Sequence, residues 1–158
     1  MACMLAAAAF YHLPPRVLPS IQAVEGGRVG MVSMNRNNTA DLGLMQVNTI
    51  WIYPIARAAR LPTPTVFTRL RDDACFNVYA AAAIMRVYLT EAHGNVMTAI
   101  GYYHSHTAAR GADYQQKVID AAISLYARSG QGSANAEPAA PAPPPAASGK
   151  APRKTPKD

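Results

Sequence analysis

A chain of 158 residues has room for one folded domain and an appendage. Half of the residues are hydrophobic and 15% are charged, which supplies enough apolar material for a packed core. The net charge of +6 suits anionic partners such as nucleic acid, anionic lipid or a bacterial wall. No Lys/Arg block with interleaved aromatics supports nucleic acid, and no apolar run reaches the ~20 residues of a bilayer span.

The elements read as helices joined by loops. Ala2 to His12 is a short Ala-rich helix. The start is apolar through Phe10, but it lacks a basic leading segment and a small-residue cleavage site, so it does not read as a signal peptide. A second helix is expected from Pro14 or Pro15, although Pro19 weakens that start by removing one more donor. Gly26-Gly27 stops it. Residues 28–47 read as a long loop with turn-forming Asn35, Asn37 and Asn38. Thr49 is the expected cap of a helix through Arg60, and Thr63-Pro64 starts another. Asp72 or Asp73 caps the longest helix, running to about His93 with Val78, Ala81, Ala82, Met85 and Leu89 at helical spacing. Val96 to Tyr103 and Tyr114 to Arg128 are the last two helices. No strand periodicity stands out, and the fold class is all-α. Composition breaks at Ser129: residues 129–158 are Gly/Ser-, then Ala/Pro-rich, then basic. That segment has little to bury and reads as a disordered tail, either a spacer or a partner-binding arm.

Few carboxylates are available for chemistry. Asp72 and Asp73 are explained as caps, and Glu91, Asp113 and Asp120 as surface groups. Glu25 differs because Leu18, Ile21 and Glu25 share one helical stripe, which places a carboxylate on an apolar face in the last turn before two glycines. Desolvation and the negative end of the helix both disfavour its charged form, raising its pKa towards the range of a general acid. Two further stretches stand out: Asp41-Leu42-Gly43-Leu44-Met45-Gln46-Val47-Asn48, with amides able to bind sugar hydroxyls, and Ala99-Ile100-Gly101-Tyr102-Tyr103-His104, a helix end with two aromatics. A metal held by His104 and His106 lacks an evident third ligand. From their number alone, Cys3 and Cys75 are two buried thiols or a pair.

Together the three stretches resemble the soluble lytic transglycosylase family, which shares the goose-type lysozyme fold. The family pattern is a helix ending in Glu-Ser, a Gly-Leu-Met-Gln stretch about twenty residues on, and an Ala-Tyr-Asn helix end further down. The resemblance spans residues 3 to about 126, giving one catalytic domain over residues 1–128 and the tail beyond. It is nearest to small members serving type III and type IV secretion, conjugation machines and type IV pili. It implies Glu25 as the single catalytic acid and base, with substrate held by Met45, Gln46, Asn48, Tyr103 and His104. It also implies a Cys3–Cys75 disulfide and hence an oxidising compartment, the periplasm or cell envelope. The implied reaction cleaves peptidoglycan glycan strands to 1,6-anhydromuramyl ends and needs no metal or cofactor. Secretion-system or pilus components are the implied partners of the tail. Two departures are visible: Gly26 stands where the family has Ser, and His104 where it has Asn. Asp41 is the candidate second carboxylate for a hydrolytic muramidase on the same fold, and a weakened glycan-binding scaffold is the other alternative.

Overall fold

The computed structural model describes residues 2–131, with side chains through residue 127. Seven α-helices dominate. They are α1 (Ala2–Phe10), α2 (Val17–Glu25), α3 (Ile52–Ala59), α4 (Thr63–Asp72), α5 (Ala74–Glu91), α6 (Val96–His104) and α7 (Ala108–Gln131). The helix α5 is the axis of the fold. Its buried positions Val78, Ala80, Ala81, Ala82, Ile84, Met85 and Leu89 lie on nearly every side, the pattern of a helix enclosed by others. The alanines let neighbours approach closely, and α1, α2, α4 and α6 all pack on it, while α7 lies against α2 and α6.

The helical reading stands, and the structure refines it locally. Within the stretch read as a loop, β1 (Val32–Met34), β2 (Ala40–Leu42) and β3 (Val47–Asn48) form a small antiparallel sheet in sequence order. Val32 pairs with Leu42, Met34 with Ala40, and Leu42 with Val47. Strands of two or three residues are too short for alternation to be read from composition. The asparagines do make the turn between β1 and β2, where Asn38 takes the left-handed conformation at φ 61°.

The helix α2 begins at Val17 rather than at the Pro14-Pro15 pair. Pro14 instead opens a turn, its carbonyl accepting from the Val17 N–H. Pro19 is then the third helical residue, where the missing N–H has no intrahelical partner to lose, so it does not weaken the start. Thr49 is not the cap either. Asn48 caps a 3₁₀ turn over Thr49–Trp51 through its side chain and the Ile50 N–H, while the Thr49 hydroxyl accepts from the Ala40 N–H. Asp73, not Asp72, caps α5 by accepting from the Phe76 N–H.

The longest helix is α7, with 24 residues against 18 in α5. It starts six residues before the expected Tyr114 and ends at Gln131, just past the expected domain boundary at residue 128. The remainder of the expected tail lies outside the described residues.

A disulfide joins Cys3 in α1 to Cys75 at the start of α5, with the Cα atoms 5.5 Å apart. The bond closes a loop of 72 residues, for which the chain-entropy estimate is about 4 kcal/mol. Urea unfolding of Cys3→Ser/Cys75→Ser is therefore expected to show a loss of up to that size. A loss under about 1 kcal/mol would mean the open-chain form gains little freedom on reduction.

Candidate active site

Glu25 is the last residue of α2, on the stripe that buries Leu18 and Ile21 completely. Its carboxylate is half-buried in the wall of a cleft of about 560 Å³. Gly26 ends the helix in the left-handed conformation at φ 61°, its N–H donating to the Gln22 carbonyl. A Cβ built on Gly26 would meet nothing within 4 Å, so the space beside Glu25 is open. Gly27 has the opposite surroundings. A Cβ there would collide with the carbonyls of Gly43 and Leu44. This missing side chain lets the strand-connecting segment lie directly against the end of α2.

That segment is held from below by Asn77 of α5, which is 1% exposed. Its side-chain oxygen accepts from the Met45 N–H at 2.7 Å, and its amide donates to the carbonyls of Leu42 at 2.8 Å and Leu70 at 2.7 Å. Gly43, at φ 68°, passes so close to Leu70 and Asn77 that no side chain fits. The segment thus emerges with Gln46 in the cleft wall.

Tyr114 of α7 donates to Glu25 Oε1 at 2.5 Å. Burial raises the Glu25 pKa above that of an ordinary carboxylate, the Tyr114 hydrogen bond works against this, and the charge of Asp41 adds to the rise. Tyr114 itself is pushed far up by burial and by the neighbouring carboxylate, so it remains a donor at any physiological pH. Its ring stacks on His104 with centroids 4.8 Å apart and planes 4° from parallel.

The other expected site residues fall in different places. Tyr103 and His104 both line the cleft. The Tyr103 hydroxyl donates to the Met45 carbonyl at 3.0 Å, so this tyrosine braces the loop rather than binding Glu25. Burial drives its pKa well up. His104 is exposed, and burial of part of its ring together with Lys117 and Arg110 lowers its pKa, keeping it neutral at pH 7. Gln46 accepts from the Ser33 hydroxyl and donates to the Gly43 carbonyl, both at 2.7 Å, which leaves one amide hydrogen for a ligand.

Asn48 lines the cleft, but its side chain is engaged in capping and in bonds to Thr39 and Asp41. Met45 departs from the expectation. It is completely buried, with its N–H bonded to Asn77 and its carbonyl to Tyr103, so it supports the cleft wall and does not line it. His104 and His106 stack on different tyrosines, Tyr114 and Tyr102. Among the described residues, no three His, Cys, Asp or Glu groups come together as a metal site.

Comparison with known proteins places this geometry. A family model described as the Transglycosylase SLT domain matches residues 2–123. The chain belongs to this family. The SLT match makes it a lytic transglycosylase domain with a lysozyme-like helical fold and peptidoglycan as substrate. It is also similar to the curated proteins named invasion protein IagB from Salmonella typhimurium strains SL1344 and LT2. Identity to each is 25% over 116 residues, covering 73% of this chain and 69% of the relative. No helix among the described residues is long and apolar enough to cross a membrane.

Two parts of this SLT site had no local signal in the chain. Tyr114 meets Glu25 across 89 residues, and Asn77 meets Met45 across 32. Tyr114 and the buried Val118 do share a stripe four apart on α7, which marks the tyrosine as inward-facing but does not name its partner.

Proposed function

We propose that the chain cuts the β-1,4 bond between N-acetylmuramic acid and N-acetylglucosamine, with Glu25 as both acid and base. The observation that carries this is a half-buried carboxyl in a cleft wall, raised in pKa and held by a tyrosine hydrogen bond. Glu25, protonated, gives its proton to the bridging oxygen as the bond to C1 breaks. The acetamido oxygen of the substrate stabilises the sugar cation. The resulting carboxylate takes the proton from the C6 hydroxyl, whose oxygen bonds to C1. Glu25 ends as it began, and the product is a 1,6-anhydromuramyl end with no water consumed. The free amide hydrogen of Gln46 and the ring nitrogen of His104 are the groups offered to the glycan.

The test is the mass of fragments released from purified sacculi. Anhydro ends are lighter by one water than hydrolysed ends. Fully hydrated ends would favour a muramidase, for which Asp41 in the same cleft is the second carboxylate. In the structure Asp41 accepts from Asn35 at 3.0 Å and Asn48 at 2.7 Å, an arrangement that favours a supporting charge over a nucleophile.

Tyr114→Phe removes the hydrogen bond that lowers the Glu25 pKa. The alkaline limb of the pH–rate profile is then expected to move to higher pH, because Glu25 keeps its proton longer. The maximal rate is expected to fall about tenfold as the carboxyl loses its anchor. An alkaline limb that stays in place would detach Tyr114 from the working acid.

The name of the matched relatives, invasion protein, fits a role in opening the wall locally for an envelope-spanning machine of the secretion, conjugation or pilus kind. We place the protein in the periplasm or cell envelope on the same reading, with the disulfide in support. The partner-binding role of residues 129–158 is part of this proposal.

A further inference from the structure

Arg36, on the turn between β1 and β2, and Arg110, on α7, both line the cleft that holds Glu25. Neither has an ion pair or a side-chain hydrogen bond among the described residues, whereas Arg69 and Arg71 are paired with Asp73 and Asp72. The cleft's own acids form no ion pair with them: Glu25 accepts from Tyr114, and Asp41 from Asn35 and Asn48. Arg110 is the third residue of α7, whose first turn contains no acidic residue. A cation there opposes the positive end of the helix. Lys117, one to two turns further along, adds to the same field, which is felt at His104. The cleft therefore presents two solvent-exposed guanidiniums whose donors the described residues leave unused, a setting suited to an anionic ligand.

Building on the peptidoglycan reading above, we propose that Arg36 and Arg110 bind the free carboxylates of the peptide stem on N-acetylmuramic acid, so that the enzyme selects glycan strands still bearing charged peptides. The saccharides themselves are uncharged apart from the lactyl group, which the stem caps as an amide. The stem carboxylates are then the substrate's anions, and a guanidinium binds a carboxylate through two parallel hydrogen bonds.

The test measures binding by calorimetry with the full chain and three ligands. These are the GlcNAc-MurNAc disaccharide with its lactyl carboxyl amidated, the disaccharide with a free-carboxylate stem, and the same stem with its carboxylates amidated. The disaccharide lacks the MurNAc–GlcNAc bond and is not cleaved by the proposed reaction. The free-carboxylate stem is expected to bind about five- to tenfold more tightly than the amidated one at low salt, with the gap closing as salt rises. In Arg36→Gln/Arg110→Gln that ratio is expected to fall to near one.

Arg110→Gln alone should melt at the same or a higher temperature than the parent chain, since it removes a cation from a helix N-terminus. A melting point that drops instead would make Arg110 a structural residue and overturn its part in the proposal. Equal binding of the amidated and free stems, or a variant that keeps the gap, would overturn the whole. Anhydro products from sacculi together with equal stem binding would leave the reaction standing and this inference fallen. A retained carboxylate gap without cleavage would do the reverse.

Discussion

Glu25→Gln is expected to lower the release of muropeptides from sacculi by about a thousandfold or more, because in the proposed mechanism one side chain supplies both proton transfers and each is worth roughly 10²–10⁴. The amide keeps the shape of the side chain, and its oxygen can still accept from Tyr114, so the cleft should remain folded. Stability separates loss of chemistry from loss of fold. Burial raises the folded-state pKa of Glu25 above its ordinary value of 4.5, so the folded chain holds this proton more firmly than the unfolded one. The stability tied to it is fully present below that ordinary value and is lost as pH rises through the raised one. Glu25→Gln should remove this component of the pH dependence and melt no lower than the parent chain at pH 8. A variant that cleaves sacculi at more than a few per cent of the parent rate would remove Glu25 from the mechanism.

Asn77→Ala is expected to cost about 4 kcal/mol, as much as truncating a large core side chain. The substitution orphans the Met45 N–H and leaves the carbonyls of Leu42 and Leu70 without this donor. Each buried group so stranded costs about 1–3 kcal/mol, and a small cavity adds to the loss. The damage is also directional. Leu42 to Met45 is the segment that carries Gln46 into the cleft, and the Met45 carbonyl is what Tyr103 grips. Urea unfolding should show the midpoint shift, and cleavage at a temperature where the variant is still folded should drop as well. Asn77→Asp keeps the acceptor for Met45 but repels both carbonyls, so it should be no better than alanine. A loss below about 1 kcal/mol in Asn77→Ala would mean the segment is held by its strand pairing alone.

How much of the site was legible depends on the range of the interaction that makes it. Glu25 was legible because its setting is local: the spacing from Leu18 and Ile21, the end of a helix and the glycine stop are all within eight residues. Gln46, Tyr103 and His104 were legible through the motifs that carry the family resemblance, and they do line the cleft. Met45 came with the same motif, but its backbone N–H and carbonyl are taken up by Asn77 and Tyr103, because a motif records which residues occur together and not which partners the fold brings to them. Tyr114 and Asn77 were invisible because neither has a periodic or local cue for its partner. The small sheet leaves no trace in the sequence since two or three residues do not establish an alternation, and the first turns of α7 are silent because Ala108 to Asp113 presents no apolar stripe strong enough to announce a helix.

The chain on its own determined a helical domain, the place of the buried acid and the pairing of its cysteines through family likeness, since those rest on spacing within a helix or on recurring motifs. Only the tertiary structure decided what holds the acid, which backbone groups brace the opposing loop, and which arginines line the cleft without an ion pair among the described residues. Those depend on contacts between residues tens of positions apart, and the buried hydrogen bonds among them gain their weight only once desolvation removes water as a competing partner.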